Sequence, residues 1–398
     1  MKTKFNLLLC LFIAVLAAIL GACSSDEPEL PGAPEPVRRT VLVYIAANNS
    51  LGAYNFDNDD IREMLRGSQT GQLPADTRWL VYHAGTFGTP ALMEIKNGAT
   101  DTLRTYASGL ASTYDGMTAV FDDMAEVAPA RAYGLVLWSH GSGWVANGLD
   151  ENISPEPYED NVLRPLSFGD DGGKRMNIAT LRAAIKDRGF DYIYFDACHM
   201  GGVEVMYELR DAVRYVVCGP AETPGAGMPY DKNMSYLADG SLEALVEAAK
   251  TTFSIYNGYS NDCAMTVVDL AGLEALAQAT ARIYSHTPLP HPGSNVTNYY
   301  GTVRADKYID FGEYVCALAD AAGLDVSEFN EALADVVVYC DAPERFWSDA
   351  KRRYLPIYHA SGLSTNVFDT SEGFTANGYN TLQWAQDIVA KRWALRAD

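Results

Sequence analysis

Apolar residues along this chain gather into short, nearly continuous runs, separated by stretches whose apolar positions recur every three or four residues. Runs at 40–47, 78–83, 133–138, 190–197 and 213–218 are rich in Val, Ile, Leu and Tyr and predict strands. Between them the spacing predicts helices over about 56–66, 117–128, 177–188 and 201–211. Strands that alternate with helices build βαβ units and a mainly parallel sheet. A shorter alternating segment, 92–106, predicts a hairpin on one edge. Beyond 232 the helical pattern dominates, at 241–256, 270–285, 310–321 and 326–338, with one strand at 263–268 and an amphipathic helix from Leu382 to Leu395. No internal repeat and no sharp linker follows Pro36. The expectation is one α/β domain over 39–398 with a helical C-terminal portion; a subdomain beginning near 290 is the alternative.

Two of the strand-like runs end in chemically loaded residues. Tyr133–Trp138 runs into Ser139-His140-Gly141-Ser142-Gly143, and Phe190–Asp196 runs into Ala197-Cys198-His199-Met200-Gly201-Gly202. In an open parallel sheet, ligands bind beyond the carboxyl ends of the strands. Two such strands side by side bring an imidazole and a thiol together there. A thiol attacks as thiolate, and a neighbouring His supplies the base that favours it. Cys198 is therefore the candidate nucleophile and His140 the candidate base and acid; the plain alternative is a strand-end cysteine that packs as a small hydrophobe. His199 is the rival imidazole, but neighbours on an extended segment point to opposite faces, which turns it away from Cys198. Asp196 stands two residues before Cys198, so both side chains leave the same face. A carboxylate there suits a cationic substrate side chain, arginine above all through its bidentate fork; the alternative is an Asp holding its own turn.

The strand ending in His140-Gly141 and the later strand ending in Asp196-Ala197-Cys198 resemble the clostripain family of cysteine peptidases, which share a caspase-like α/β/α sandwich. Val41–Asn49 looks like the family's opening strand, and Glu222–Tyr230 like the loop after the strand that follows the nucleophile. The likeness runs from about Val41 to the C-terminus and is most specific over 130–231. It implies a Cys198–His140 dyad, an oxyanion hole of the Gly141 and Cys198 amides, and Asp196 as selector of Arg or Lys at P1. It also implies that Thr223, Gly225 and Met228 line the P1 pocket; Asp231, three residues on from Met228, is a separate candidate for a second carboxylate there. Met228 departs from the pattern, since an aromatic residue is expected there. Some members cut themselves after the catalytic His, and the first basic residues after His140 are Arg164, Lys174 and Arg175. Some need calcium; nothing in the sequence requires a cofactor, but Asp170 and Asp171, in a Gly-rich turn, are candidate ligands.

The N-terminus adds an address. Lys2 and Lys4 precede an apolar run from Phe5 to Leu20 and then Leu20-Gly21-Ala22-Cys23. This reads as a signal peptide over 1–22, too short for a membrane span. The last four residues resemble a bacterial lipobox with Cys23 lipidated, followed by a polar, Pro-rich tether over 23–38. Ser24-Ser25-Asp26-Glu27 resembles surface-export signals of some lipoproteins, which makes an outer-membrane or cell-surface lipoprotein the expected location.

Composition narrows the partners. Acidic residues outnumber Lys and Arg by 51 to 30 over 398 residues. An acidic surface argues against nucleic acid and favours cationic substrates, although it also simply keeps an exported protein soluble. With Cys10 in the signal and Cys23 assigned to lipid, Cys198, Cys218, Cys263, Cys316 and Cys340 remain, an odd number that leaves a thiol unpaired. No Cys-x-x-Cys, Gly-x-Ser-x-Gly, Walker loop or His-Glu-x-x-His occurs, which disfavours zinc-knuckle, redox, serine-hydrolase, nucleotide and zinc-protease chemistry. Residues 145–163 are acidic, hold Pro155 and Pro157, lack Lys and Arg, and read as a loop hanging off His140: a lid, a cleavable segment or a simple insertion. The leading reading is a cysteine endopeptidase; the other class is a silent caspase-fold lipoprotein that binds peptides or partner proteins.

Overall fold

The strands are, in chain order, β1 (Val37–Ala47), β2 (Thr77–Gly85), β3 (Ala91–Lys96), β4 (Ala99–Thr105), β5 (Ala130–Trp138), β6 (Phe168–Asp171), β7 (Lys174–Met176), β8 (Phe190–Asp196), β9 (Tyr215–Cys218), β10 (Met265–Asp269), β11 (Ile309–Asp310), β12 (Val337–Asp341), β13 (Arg345–Ser348), β14 (Arg353–Pro356) and β15 (Ser364–Thr365). This computed structural model describes residues 35–144, 168–257, 262–287, 296–300, 307–348, 352–367 and 378–390. The signal, residues 23–34 of the tether with Cys23, the 145–163 loop and Arg164 lie outside the described residues, while Val37 and Arg38 at the tether's end already belong to β1. Residues 36–398 form one compact unit.

Nine strands make the central sheet, in the order β12-β10-β9-β8-β5-β1-β2-β3-β4. The inner five are parallel: β1 pairs with β2 and β5, and β8 with β5 and β9. The β3–β4 hairpin closes one edge antiparallel, as the alternation over 92–106 predicts, and β10 and β12 close the other.

The apolar runs are continuous because this sheet is covered on both faces. Alternate residues point opposite ways and feed two cores. Leu42, Tyr44, Leu135, Leu137, Ile193 and Phe195 enter one core, with the helices Tyr114–Val127, Ile178–Ile185, Val203–Leu209 and Leu273–His286. Val41, Val43, Ile45, Val136, Trp138, Tyr192 and Tyr194 enter the other, with the helices Phe56–Gln69, Tyr230–Asp239 and Leu242–Tyr256. The result is a three-layer α/β/α sandwich.

The helix expected over 326–338 stops at Val336, where the chain turns into the edge strand β12. Val336-Val337-Val338-Tyr339 is a β-branched and aromatic run, which a sheet edge accommodates better than a helix does. Sequence reading missed helix Tyr230–Asp239, although it buries Tyr230, Asn233, Met234, Leu237 and Ala238 at helical spacing, and the hairpins β6–β7 and β13–β14, whose strands are too short to show a period. The last helix is seen over 383–390 with a π-helical stretch, Ala385–Val389. Among the described residues no helix is long and apolar enough to cross a membrane.

Candidate active site

Parallel pairing puts Trp138 of β5 opposite Asp196 of β8, and the Ser139 amide donates to the Asp196 carbonyl at 3.4 Å. The next residues of each strand stay in contact. A Cβ built on Gly141 would lie 2.5 Å from the Cys198 carbonyl oxygen and 3.0 Å from the Ala197 Cβ, so only glycine lets the His140 segment lie against the Cys198 segment. The two candidate groups thus sit at the carboxyl ends of neighbouring strands, where a parallel sheet binds ligands. The Gly141 amide donates to no acceptor among the described residues.

Cys198 is half-buried. Its sulfur accepts a hydrogen bond from the Thr223 amide at 3.4 Å, and its thiol donates to the Thr223 carbonyl at 3.7 Å. Thr223, expected as a pocket liner, therefore touches the nucleophile itself, and its hydroxyl donates to the Ala197 carbonyl at 3.3 Å. The other four cysteines described are free. Burial pushes the Cys263 and Cys340 thiols up to about 12 and the Cys218 thiol higher still, so these are packing residues.

One ring nitrogen of His140, Nε2, lies 2.8 Å from the Ser50 hydroxyl. Ser50 opens the one-turn helix Ser50–Ala53, which Asn49 caps by accepting from the Leu51 amide at 2.9 Å. Asn49 also donates to the carbonyls of Ala46 and Asp170, at 2.9 and 2.8 Å. The Ser139 hydroxyl donates to the Ala46 carbonyl at 2.7 Å and accepts from the Asp170 amide at 3.0 Å. This network locks the ends of β1 and β5 and the β6–β7 hairpin together beneath His140. Sequence reading missed Ser50; the polar Asn48-Asn49-Ser50 ending of an otherwise apolar strand is the signal that marks it.

The chain turns at His199, whose backbone lies in the left-handed region at φ 58°, so the alternation of an extended strand does not govern its side chain. Its ring is buried, stacks on Tyr308 at 4.2 Å between centroids, and lies 3.4 Å from the Pro220 carbonyl. Burial holds the imidazole down to about 4, so it stays neutral. The Tyr308 hydroxyl donates to the Ser142 carbonyl at 2.8 Å, so this tyrosine straps the loops after β5 and β8 together.

Asp196 and Cys198 both meet the loop before helix Tyr230–Asp239. Oδ2 of Asp196 accepts from the Met228 amide at 2.9 Å and the Tyr230 hydroxyl at 3.0 Å, so the carboxylate does not hold its own turn. Burial raises it to about 6. Gly225 faces the Phe56 ring, 3.1 Å from a Cβ built on the glycine. The Met228 side chain, expected in the pocket, is 1% exposed and belongs to the core; only its amide serves the site. Asp231 pairs with Lys232 at 3.2 Å, and its backbone sits against Gly67 of the Phe56–Gln69 helix. The carboxylate that shares Asp196's surroundings is instead Asp60, buried and bonded to the Trp138 indole N–H at 2.6 Å.

Asp170 and Asp171 do not fit a calcium site. Asp170 accepts from the Gly173 amide and pairs with Arg175, at 2.8 and 3.1 Å. Asp171 accepts from Asn48 and the Ala111 amide, both at 2.9 Å. Every carboxylate oxygen already has a protein donor, and no group of three or more metal-ligating side chains occurs among the described residues. Of the processing candidates, Lys174 and Arg175 belong to β7, paired across the hairpin with β6.

A thiol and an imidazole at adjacent strand ends of a caspase-like sandwich define a cysteine peptidase. The clostripain family model, peptidase family C11, matches residues 43–318, and the chain belongs to that family. Similar solved structures include a secreted C11 cysteine protease from Bacteroides thetaiotaomicron in complex with an irreversible peptide inhibitor, at 26% identity and TM-score 0.73. Another, from the same organism and called iotapain, is 25% identical with a TM-score of 0.75. A third is an inactive zymogen C11 protease from Parabacteroides distasonis, at 26% identity and TM-score 0.74. Each alignment covers 89% of this chain and 99% of the other. A search of curated protein sequences gave no match.

Proposed function

We propose that this peptidase is an exported, lipid-anchored endopeptidase that cleaves after Arg or Lys. The observation that carries the basic preference is Asp196. It ends the strand that delivers Cys198, meets the same loop as the sulfur does, and keeps Oδ1 without a hydrogen-bond donor among the described residues. A cationic P1 side chain entering beside Cys198 supplies the missing donors.

In the reaction, His140 takes the proton of the Cys198 thiol, and the sulfur attacks the scissile carbonyl, forming a C–S bond as the C=O π electrons move onto oxygen. The oxygen takes up negative charge facing the Gly141 and Cys198 amides. His140 gives a proton to the leaving amine as the C–N bond breaks, and the acyl-enzyme remains. Water, deprotonated by His140, then releases the acid and restores the thiol. Ser50 holds one nitrogen of the ring, which leaves the second for proton transfer.

The basic start, the apolar run and Leu20-Gly21-Ala22-Cys23 support export and lipid attachment at Cys23, on the outer membrane or cell surface. The secreted relative is consistent with this address. The zymogen relative supports self-activation after His140. Lys174 and Arg175 are held in a hairpin, which disfavours cutting there, and Arg164 is the candidate that remains. Intact mass of wild type and Cys198→Ala checks this: a clipped wild type beside an intact variant is expected, and equal, unclipped chains would remove it.

The deciding assay uses fluorogenic peptides with Arg, Lys, Asn or Asp at P1. Turnover of Arg and Lys only, lost in Cys198→Ala and selectively weakened in Asp196→Ala, is expected. Turnover of Asn or Asp instead would overturn the pocket assignment.

A further inference from the structure

Helix Phe56–Gln69 presents Phe56, Asp60 and Glu63 on one face, at the spacing of successive helical turns. That face lies against the loop that also meets Cys198 and Asp196. Phe56 packs on Gly225, and Glu63 accepts from the Tyr230 amide at 3.1 Å. Asp60 sits between them. The point where a Cβ on Gly227 would stand is 2.8 Å from Oδ2 of Asp60 and 2.9 Å from Oδ2 of Asp196, so the two carboxylates flank one glycine. Gly227 has φ 68° and its carbonyl accepts from Tyr256 at 2.6 Å, which holds it there.

We infer that Asp60 is a second specificity-determining residue of the P1 site, forming with Asp196 a buried carboxylate pair that an arginine guanidinium neutralises. This rests on the reading of Asp196 as the P1 selector. Asp60 is 1% exposed, yet its Oδ1 accepts no hydrogen bond among the described residues. Holding the Trp138 indole is a task that asparagine does equally well, so that bond does not explain a second buried acid. No Lys or Arg among the described residues pairs with either carboxylate. The groups facing the pair are Glu63 and Asp59 on the same helix, Tyr230, Tyr256, Trp138 and Cys263, none of them cationic.

Two like charges buried together are costly, and the empty pair relieves the cost by keeping a proton. Burial and the Asp196 charge push Asp60 up to about 10, in line with Asp60 as the holder. A guanidinium, with a planar fork of donors and a fixed charge, satisfies two acceptors at once and displaces that proton to solvent. An ammonium is a point charge and bridges them less well. The pair therefore favours Arg over Lys.

The test compares wild type, Asp60→Asn and Asp196→Asn on peptides with Arg, Lys or norleucine at P1. Iodoacetamide labelling of Cys198 counts intact sites in each protein. Asp60→Asn is expected to raise KM for Arg by about tenfold or more, leave kcat within about twofold, and lower the Arg-to-Lys preference, because a hydrogen bond to a charged group is lost. An unchanged KM and preference in Asp60→Asn would overturn the inference, even if Asp196→Asn loses basic specificity. Failure of the wild type to prefer any basic P1 would instead sink the reading of Asp196. Calorimetry of a peptide aldehyde ending in arginine, in buffers of different ionisation heat, gives a second readout on the wild type. Release of close to one proton at pH 7 supports the pair; heat independent of buffer contradicts it.

Discussion

Gly141 carries more of the site than its size suggests. Any side chain there meets the Cys198 carbonyl at 2.5 Å, backbone against backbone, so the nucleophile segment must move. Gly141→Ala should cut kcat by about a hundredfold or more, since a donor of the oxyanion hole moves with it. Steady-state kinetics with a melting curve as control checks this. Ser50 acts one step away. Ser50→Ala removes one neutral hydrogen bond to the His140 ring, worth about 1 kcal/mol, so kcat should fall roughly fivefold with KM unchanged. Ser50→Thr, which keeps the hydroxyl, should restore it. The placement of His140, Asp196 and Cys198 at neighbouring strand ends was legible in the sequence because each follows or ends a continuous apolar run, where backbone pairing alone dictates position. Asp60, Ser50 and Tyr308 were not. They reach the site through helix rotation or long-range threading, which no local pattern encodes.

At the scale of elements, the five parallel strands could be read directly, since burial on both faces forces uninterrupted apolar runs. The β3–β4 edge hairpin and β10 could be read as well, but β12 and the β6–β7 hairpin could not. β12 follows a helix without a break, and β6–β7 is a polar hairpin whose reason is the network under His140. The segment at Tyr308 shows why the C-terminal half matters to catalysis: it ties the Ser142 carbonyl to the His199 ring. Tyr308→Phe keeps the stack and removes the hydrogen bond. The expected result is a melting temperature lower by about 2 °C, for a bond worth about 1 kcal/mol, with a fall in kcat/KM as the loop after His140 loosens. Differential scanning fluorimetry and kinetics on the same preparation test both parts.

For the whole molecule, His199 sets part of the acid limit of stability. Its folded value, about 4, lies below the ordinary value of 6.5. Between these two the unfolded chain binds a proton that the folded one refuses, so stability falls as pH drops from about 6.5 to about 4. Asp196, raised to about 6, acts with the opposite sign but equally in wild type and variant. His199→Phe should therefore show a smaller loss of melting temperature over that interval; an identical loss would mean that the buried imidazole does not contribute. The same burial separates the two imidazoles: His199 is buried and stacked on Tyr308, which leaves His140 as the imidazole proposed to handle protons.

The most direct test of the account is covalent. A peptidyl reagent with an arginine at P1 and a thiol-reactive ketone warhead, incubated with the purified enzyme and mapped by mass spectrometry, should give a single adduct on Cys198. Labelling should vanish in Cys198→Ala and slow by orders of magnitude in His140→Ala. An adduct on another residue, or peptide turnover that survives in Cys198→Ala, would contradict it.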